Sequence, residues 1–233
     1  MALTYDITGR PDFALLKVML NPGEKVLAEP SAMASMDVHV KMTTGMKGGV
    51  LKSIGRALGG ESFFVNTFTV DGKPGEVYLA PGAMGDMQVY VLDGTKGLVM
   101  QRGAFVASGE GVNTTGKLEG FKGFFSGEGL VLLKATGKGE IFFNTFGAII
   151  DIDVSGDYYV DTGYVVAFED TLQYQITTLP GLSAGSKIKS FLFGGEGLVC
   201  KFSGTGKLWI QTRCVGPFCN WINPYRPAKK GKD

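Results

Sequence analysis

The sequence predicts an all-β fold built from three internal repeats, and three observations carry that prediction. A Gly-Glu phrase returns at near-equal intervals. Short apolar stretches with strand alternation are separated by turns of Gly, Asn, Asp and Pro, and helical periodicity is confined to one stretch.

The phrase is a small residue, Gly-Glu, another small residue and an apolar run. It reads Gly59-Gly60-Glu61-Ser62-Phe63-Phe64-Val65, Ser126-Gly127-Glu128-Gly129-Leu130-Val131-Leu132 and Gly194-Gly195-Glu196-Gly197-Leu198-Val199-Cys200, its glutamates 67 and 68 residues apart. Each run leads through a turn into a second apolar strand, at Gly75-Glu76-Val77-Tyr78, Gly139-Glu140-Ile141-Phe142 and Gly206-Lys207-Leu208-Trp209. A second marker keeps the same order: Ser31, Gly103 and Gly163 each stand between apolar segments upstream of the next phrase. Such spacing is the signature of a repeated unit. The single β domain, residues 1–233, divides into units of approximately 1–75, 76–140 and 141–215 with a C-terminal tail, 216–233.

In chain order, Ala14 to Leu20 is apolar and enters the turn Asn21-Pro22-Gly23-Glu24, where proline presets one dihedral and glycine accepts positive φ. Met36 to Met42 alternates, with Met36, Val38, Val40 and Met42 on one face and Asp37, His39 and Lys41 on the other, so one half-buried strand is expected. His39 then faces solvent. From Gly45 to Leu58, Val50, Leu51, Ile54 and Leu58 fall at helical spacing with Lys52 and Arg56 elsewhere. Glycines at 48, 49, 55, 59 and 60 weaken any independent helix. A short helical connector covering a sheet edge is expected, with a basic segment for a membrane surface as the alternative. The remainder reads as strands at Phe63 to Val70, Val77 to Ala80, Met87 to Leu92, Leu98 to Ala107, Leu130 to Ala135, Ile141 to Asn144 and Ala148 to Val154. Asp93-Gly94, Thr136-Gly137-Lys138-Gly139 and Ser203-Gly204-Thr205-Gly206 read as hairpin turns. No other helix is expected, and Trp221, Ile222 and Tyr225 near the end are expected to dock on the domain or on a neighbouring subunit.

Composition bounds the chemistry. A formal charge of +1 with 44% hydrophobic residues describes an ordinary globular chain with no general attraction for nucleic acid. The start, with Asp6, Arg10 and Asp12, lacks a signal-peptide pattern, and no apolar run reaches spanning length, so a cytoplasmic location is expected. Cys200, Cys214 and Cys219 make neither a disulfide framework nor a zinc site. His39 is the single histidine, which argues against Ser-His-Asp and Cys-His catalysis. Asp151-Ile-Asp153-Val-Ser155-Gly156-Asp157 matches the first half of a calcium loop, but position twelve is Thr162, and the same alternation describes a strand with a solvated face. Gly204-Thr-Gly206-Lys207 lacks the spacing of a phosphate loop. No catalytic residue, metal, cofactor or small-molecule substrate is expected; carboxylates such as Asp151 or Glu169 are the fallback for an enzyme. If the units surround a pseudo-threefold axis, the motif residues Gly60, Glu61, Gly127, Glu128, Gly195 and Glu196 become equivalent. Lys52, Arg56, Lys122, Lys187 and Lys189 would then form a rim able to hold anionic lipid or RNA, the plainer reading being glutamates that close turns and solvated lysines.

With Gly-Gly-Glu-Ser-Phe-Phe-Val-Asn-Thr-Phe from Gly59, Gly23-Glu24-Lys25-Val26-Leu27-Ala28-Glu29 and the two later Gly-Glu-Gly-Leu phrases on view, the chain resembles the "altered inheritance of mitochondria" family over essentially its whole length. The resemblance implies a fold like the tryptophan RNA-binding attenuation protein, a double-stranded β-helix or jelly roll in repeated units. The expected architecture is therefore a jelly-roll-like β-roll of three repeats. The resemblance also implies oligomers and, in fungi, a role in organising mitochondrial membranes, and it brings no catalytic residues. Ser31 departs from the glycine of the later units, which suggests a different turn there. The attenuation protein's RNA-contacting lysines and arginines cannot be placed on these positions, so nucleic acid is not expected. The leading expectation is a non-enzymatic homo-oligomeric scaffold, and the alternative is a peripheral module that binds anionic membrane or RNA through residues 45–58.

Overall fold

A computed structural model describes residues 2–46, 64–118, 131–177 and 199–226. The first strands are β1 (Thr4–Thr8), β2 (Leu15–Leu20), β3 (Lys25–Ala28), β4 (Met33–Met36), β5 (Val40–Met46), β6 (Phe64–Val70) and β7 (Gly75–Leu79). Then come β8 (Met87–Asp93), β9 (Leu98–Gln101), β10 (Phe105–Gly109), β11 (Val112–Leu118) and β12 (Val131–Asn144). The chain continues through β13 (Ile149–Asp161), β14 (Val165–Glu169), β15 (Gln173–Thr177) and β16 (Val199–Gln211) to a short helix, α1 (Val215–Ile222). The fold is all-β, its named strands paired antiparallel in large sheets. Among the described residues no helix is long and apolar enough to cross a membrane.

One four-stranded sheet has the order β1-β2-β7-β4. The other strands form one connected path because β12 and β16 each take part in two pairings along their length. The first half of β12, to Gly137, pairs with β11 and β9, whereas from Lys138 it pairs with β8, and from Ile141 with β10 as well. Likewise β16 runs beside β15 up to Ser203 and beside β14 from Leu208, with β13 opposite throughout.

This corrects the reading of 136–139 and 203–206 as hairpin turns. Gly137, Gly139 and Gly204 do adopt positive φ, at 102°, 131° and 110°, but within continuous strands, where they bend the strand from one sheet into the next. At Gly137 the space is also lacking, since a Cβ would lie 2.3 Å from the Gly111 carbonyl oxygen. The corresponding crossing between β6 and β7 is broken by residues 71–74, where Pro74 has no N–H to donate.

Burial follows the period-two pattern. Leu16, Val18 and Leu20 point into a core shared with Phe68, Val77, Leu79, Met87 and Phe142. Leu98, Met100, Phe105, Leu133, Ile141, Phe143 and Trp209 form a second core, with Tyr90 and Phe143 edge-on to Trp209, each at 5.6 Å. Val154, Val160, Phe168, Phe202 and Leu208 form the third.

Three further expectations are corrected. Met36 to Met42 is two strands, because the Val40 N–H turns back to the Asp37 carbonyl at 3.0 Å and leaves Val38 wholly exposed. Leu98 to Ala107 is interrupted by a 3-10 turn, Arg102–Ala104. The tail contains α1, whose Phe218 stacks edge-on against Phe146 at 5.2 Å while Trp221 and Tyr225 remain exposed. The helical connector at 45–58 lies outside the described residues, apart from Gly45 and Met46, which belong to β5. Ser31 has φ of 72°, a left-handed conformation that neither Gly103 nor Gly163 adopts, so its turn does differ.

Candidate functional site

The residues singled out from the sequence, Gly60, Glu61, Gly127, Glu128, Gly195 and Glu196 with Lys52, Arg56, Lys122, Lys187 and Lys189, all lie outside the described residues. Their stretches, 47–63, 119–130 and 178–198, connect strands that are antiparallel partners: β5 with β6, β11 with β12 and β15 with β16. The described residues put the polar chemistry elsewhere, at two strand junctions.

At one junction β10 pairs with β3, Ala107 opposite Ala28, Ser108 opposite Leu27 and Gly109 opposite Val26. At the other β14 pairs with β9, Ala167 opposite Met100, Phe168 opposite Val99 and Glu169 opposite Leu98. The strands around them match residue for residue. Ala28 faces Asn66 and Met100 faces Leu133 in the adjoining ladders, and each incoming strand has a register shift of one residue, at Val106 and at Val166.

Glu169 is a buried charged group at the second junction. Its carboxylate accepts the Tyr90 hydroxyl at 2.9 Å, the Lys96 ammonium at 3.3 and 3.4 Å and the Lys207 backbone N–H at 3.1 Å. Burial acts to raise its pKa, but the Lys207 N–H, Tyr90 and Lys96 outweigh it and hold the carboxyl below its usual range. Burial, reinforced by the Glu169 carboxylate, drives the Tyr90 phenol upward. Next to it Asp170 accepts the Gly97 N–H at 2.8 Å and pairs with Lys134 at 2.9 Å. A carboxylate held by this many donors is a fixed acceptor that ties β14 and β16 to β8 and the loop before β9. A general base needs a lone pair free for a proton and a pKa near the working pH.

The other junction has Gly109 where this one has Glu169. The space is a cleft of about 310 Å³ lined by glycines 23, 109, 111 and 139 together with Leu3, Lys25, Glu110 and Lys138. Lys25 pairs with Glu110 at 2.6 Å across its mouth, and Glu140 accepts the Leu3 N–H at 3.3 Å. Glu29, just beyond β3, donates its N–H to the Val106 carbonyl at 2.9 Å, and burial pushes its carboxyl up to about 7. A further ion pair fixes the loop before β8. Arg10 reaches Asp86 through two bonds of 2.6 and 3.0 Å, and hydrogen bonding to Asp86 raises the arginine pKa against the opposing effect of burial.

A strand resembling β10 and β14 also exists at β4, which pairs with β7 through the same one-residue shift, at Ala34. The Asp37 carboxylate accepts the Glu76 N–H at 2.9 Å as Glu169 accepts that of Lys207. Yet β10 and β14 are buried along their whole length, whereas Ala34 and Ser35 of β4 are exposed. The second half of β13 has the same relation to β16 that β3 has to β6 and β9 to β12, and there Tyr158 and Tyr159 are exposed by 41% and 39%. Sequence reasoning missed this set of edges. The available signal was Tyr158-Tyr159 following Asp151, Asp153 and Asp157, which makes a solvated strand turn aromatic on both faces. Asp151 and Asp153 lie in β13 with Asp153 paired to Lys207 at 2.9 Å, the strand arrangement rather than a calcium loop. Among the described residues no group of three His, Cys, Asp or Glu is placed to hold a metal.

Residues 5–213 match the family model described as mitochondrial biogenesis AIM24. The chain is 28% identical over 238 residues to an uncharacterized protein of Streptococcus pyogenes serotype M6, covering 97% of this chain and 92% of that one. It is also similar to the X-ray crystal structure of a protein from Streptococcus pyogenes, with a TM-score of 0.78 at 27% identity, covering 96% of this chain and all of that one.

Proposed function

Because this chain belongs to the mitochondrial biogenesis AIM24 family, we propose that it is a non-enzymatic, homo-oligomeric scaffold or interaction protein of the cytoplasm, made of three structural units. The observation that carries this reading is the shared register of the two junctions, β3 with β10 and β9 with β14. Each unit lends an edge strand to the next, so continuity of backbone hydrogen bonds is the way the units are joined. Chains built like this are limited to nearest-neighbour contacts and present extended surfaces for partners. The non-enzymatic part is supported by Glu169 and Asp86, two buried carboxylates that are both occupied by fixed donors. A β-roll of three repeats is the architecture consistent with these pairings.

Light scattering on purified protein at several concentrations and two salt levels tests the proposal. A discrete mass of several copies that resists salt is expected. A strict monomer at micromolar concentration would remove its main support.

A further inference from the structure

We infer that the open edge of β4 in one copy pairs antiparallel with the second half of β13 in a second copy, with Ser35 opposite Val160, Met36 opposite Tyr159 and Asp37 opposite Tyr158. The inference rests on the reading of the chain as an assembling scaffold of three units, and it names the surface and the register.

The register is obtained by superposing ladders, without free choice. In the ladders to β6, β12 and β16, Ala28 faces Asn66, Met100 faces Leu133 and Val160 faces Cys200. Within the other set, Ser108 faces Ile141, Phe168 faces Leu208 and Met36 faces Val77. The two junctions already made join Ser108 to Leu27 and Phe168 to Val99. The same step carries Met36 to Tyr159.

Backbone groups at both edges point the right way. The Asp37 N–H donates inward to the Glu76 carbonyl at 3.0 Å, so by strand alternation the N–H and C=O of Met36 face outward. At the junction of β3 and β10 the Glu29 N–H crosses to Val106, so Leu27, two residues earlier, also faces across, and Tyr159 holds the position of Leu27. Met36 and Tyr159 thus form a pair that exchanges both of its hydrogen bonds.

Side chains agree with the backbone. Val26 and Leu98, in the position of Tyr158, are fully buried by an incoming strand, whereas Tyr158 is 41% exposed. Ser108 and Phe168 are buried, whereas Met36 is only half-buried and Val38 beyond it is wholly exposed. Among the described residues no strand pairs with either edge, and neither carries the lysines or prolines that ordinarily discourage pairing, while the one-residue bulge of β4 at Ala34 lies in its ladder to β7. Because the two edges differ, the contact is heterologous, and repetition makes a closed ring or a filament.

Two variants test it through their mixture. Met36→Pro removes an outward N–H from one edge and Tyr159→Pro removes one from the other, and neither residue spends that N–H on its own sheet. Each variant alone is expected to run as a single copy with an unchanged far-ultraviolet circular dichroism spectrum. Mixed in equal amounts they are expected to give a species of two copies and nothing larger, since each retains one intact and complementary edge. Met36→Lys and Tyr159→Lys, which leave the backbone untouched, should reproduce the pattern. If the wild type is oligomeric and all four variants keep its mass, the edges are not the interface; the scaffold reading survives and this inference fails. Folded single-copy variants that do not complement on mixing also overturn it. A single-copy wild type overturns both.

Discussion

Replacing Glu29 with glutamine should stabilise the protein above neutrality and leave it unchanged in acid. Glu29 follows β3 at the first junction, and at the second junction the matching position is Gln101, whose side-chain amide donates to the Thr162 carbonyl at 3.3 Å. A protonated carboxyl can imitate that amide. A carboxylate cannot, and burial pushes the Glu29 carboxyl from 4.5 to about 7. Below pH 4.5 both folded and unfolded chains hold the proton, so the group costs nothing. Between 4.5 and 7 the unfolded chain releases it while the folded chain keeps it, and stability falls as pH rises. Above 7 the folded chain has ionised as well and the loss is complete. A displacement of that size corresponds to about 3 kcal/mol, which partial exposure of the side chain reduces to about 1–2 kcal/mol. Urea unfolding of wild type and Glu29→Gln at pH 4, 6 and 8 should therefore show a difference near zero, then growing, then level at about 1–2 kcal/mol in favour of the variant. A difference that is independent of pH, or that favours the wild type at pH 8, would refute the assignment of a buried carboxyl to this position.

Glu169→Ala should cost about 2–4 kcal/mol, because it leaves Tyr90, Lys96 and the Lys207 N–H without their acceptor. The lowered carboxyl makes that stabilisation present above the unfolded value and lost as pH falls through the folded one, so the gap between wild type and variant should shrink in acid. Gly137→Ala combines a φ of 102° with a Cβ 2.3 Å from a carbonyl oxygen and should lose about 3 kcal/mol or more in chemical denaturation; Gly82→Ala, which meets nothing within 4 Å, serves as the near-neutral control. Ser31→Gly relieves a left-handed serine and should raise the melting temperature slightly, by about 0.5 kcal/mol of stability once the greater freedom of the unfolded chain is subtracted.

The strand class was legible wherever alternation was clean. Leu15–Leu20 and Gly75–Leu79 announce their buried faces residue by residue, and the structure follows them. Glycine pairs were harder, since the positive φ that closes a hairpin also bends a continuous strand. Local composition cannot say whether the chain after Gly137 returns beside itself or crosses to another sheet, because that depends on partners far away in sequence, such as β8 and β10. Val38 misled for a related reason: it continues the alternation of Met36 and Val40, yet a tight turn turns it outward. The junction residues were illegible as a site because they are assembled from segments distant in sequence, as with Tyr90 and Glu169, 79 apart, Lys96 and Glu169, 73 apart, and Lys207 and Glu169, 38 apart. Helix α1 escaped because eight residues containing Gly216 and Pro217 carry little helical signal.

β12 belongs to two ladders at once, and so does β16. Pulling either strand away strips hydrogen-bonding partners from both of its neighbourhoods together, so one region cannot melt while the next stays intact. Amide protons of β12 should consequently exchange only through the global opening of the chain, and a force applied to its two ends should meet one large rupture where separable modules would give a staircase of small ones.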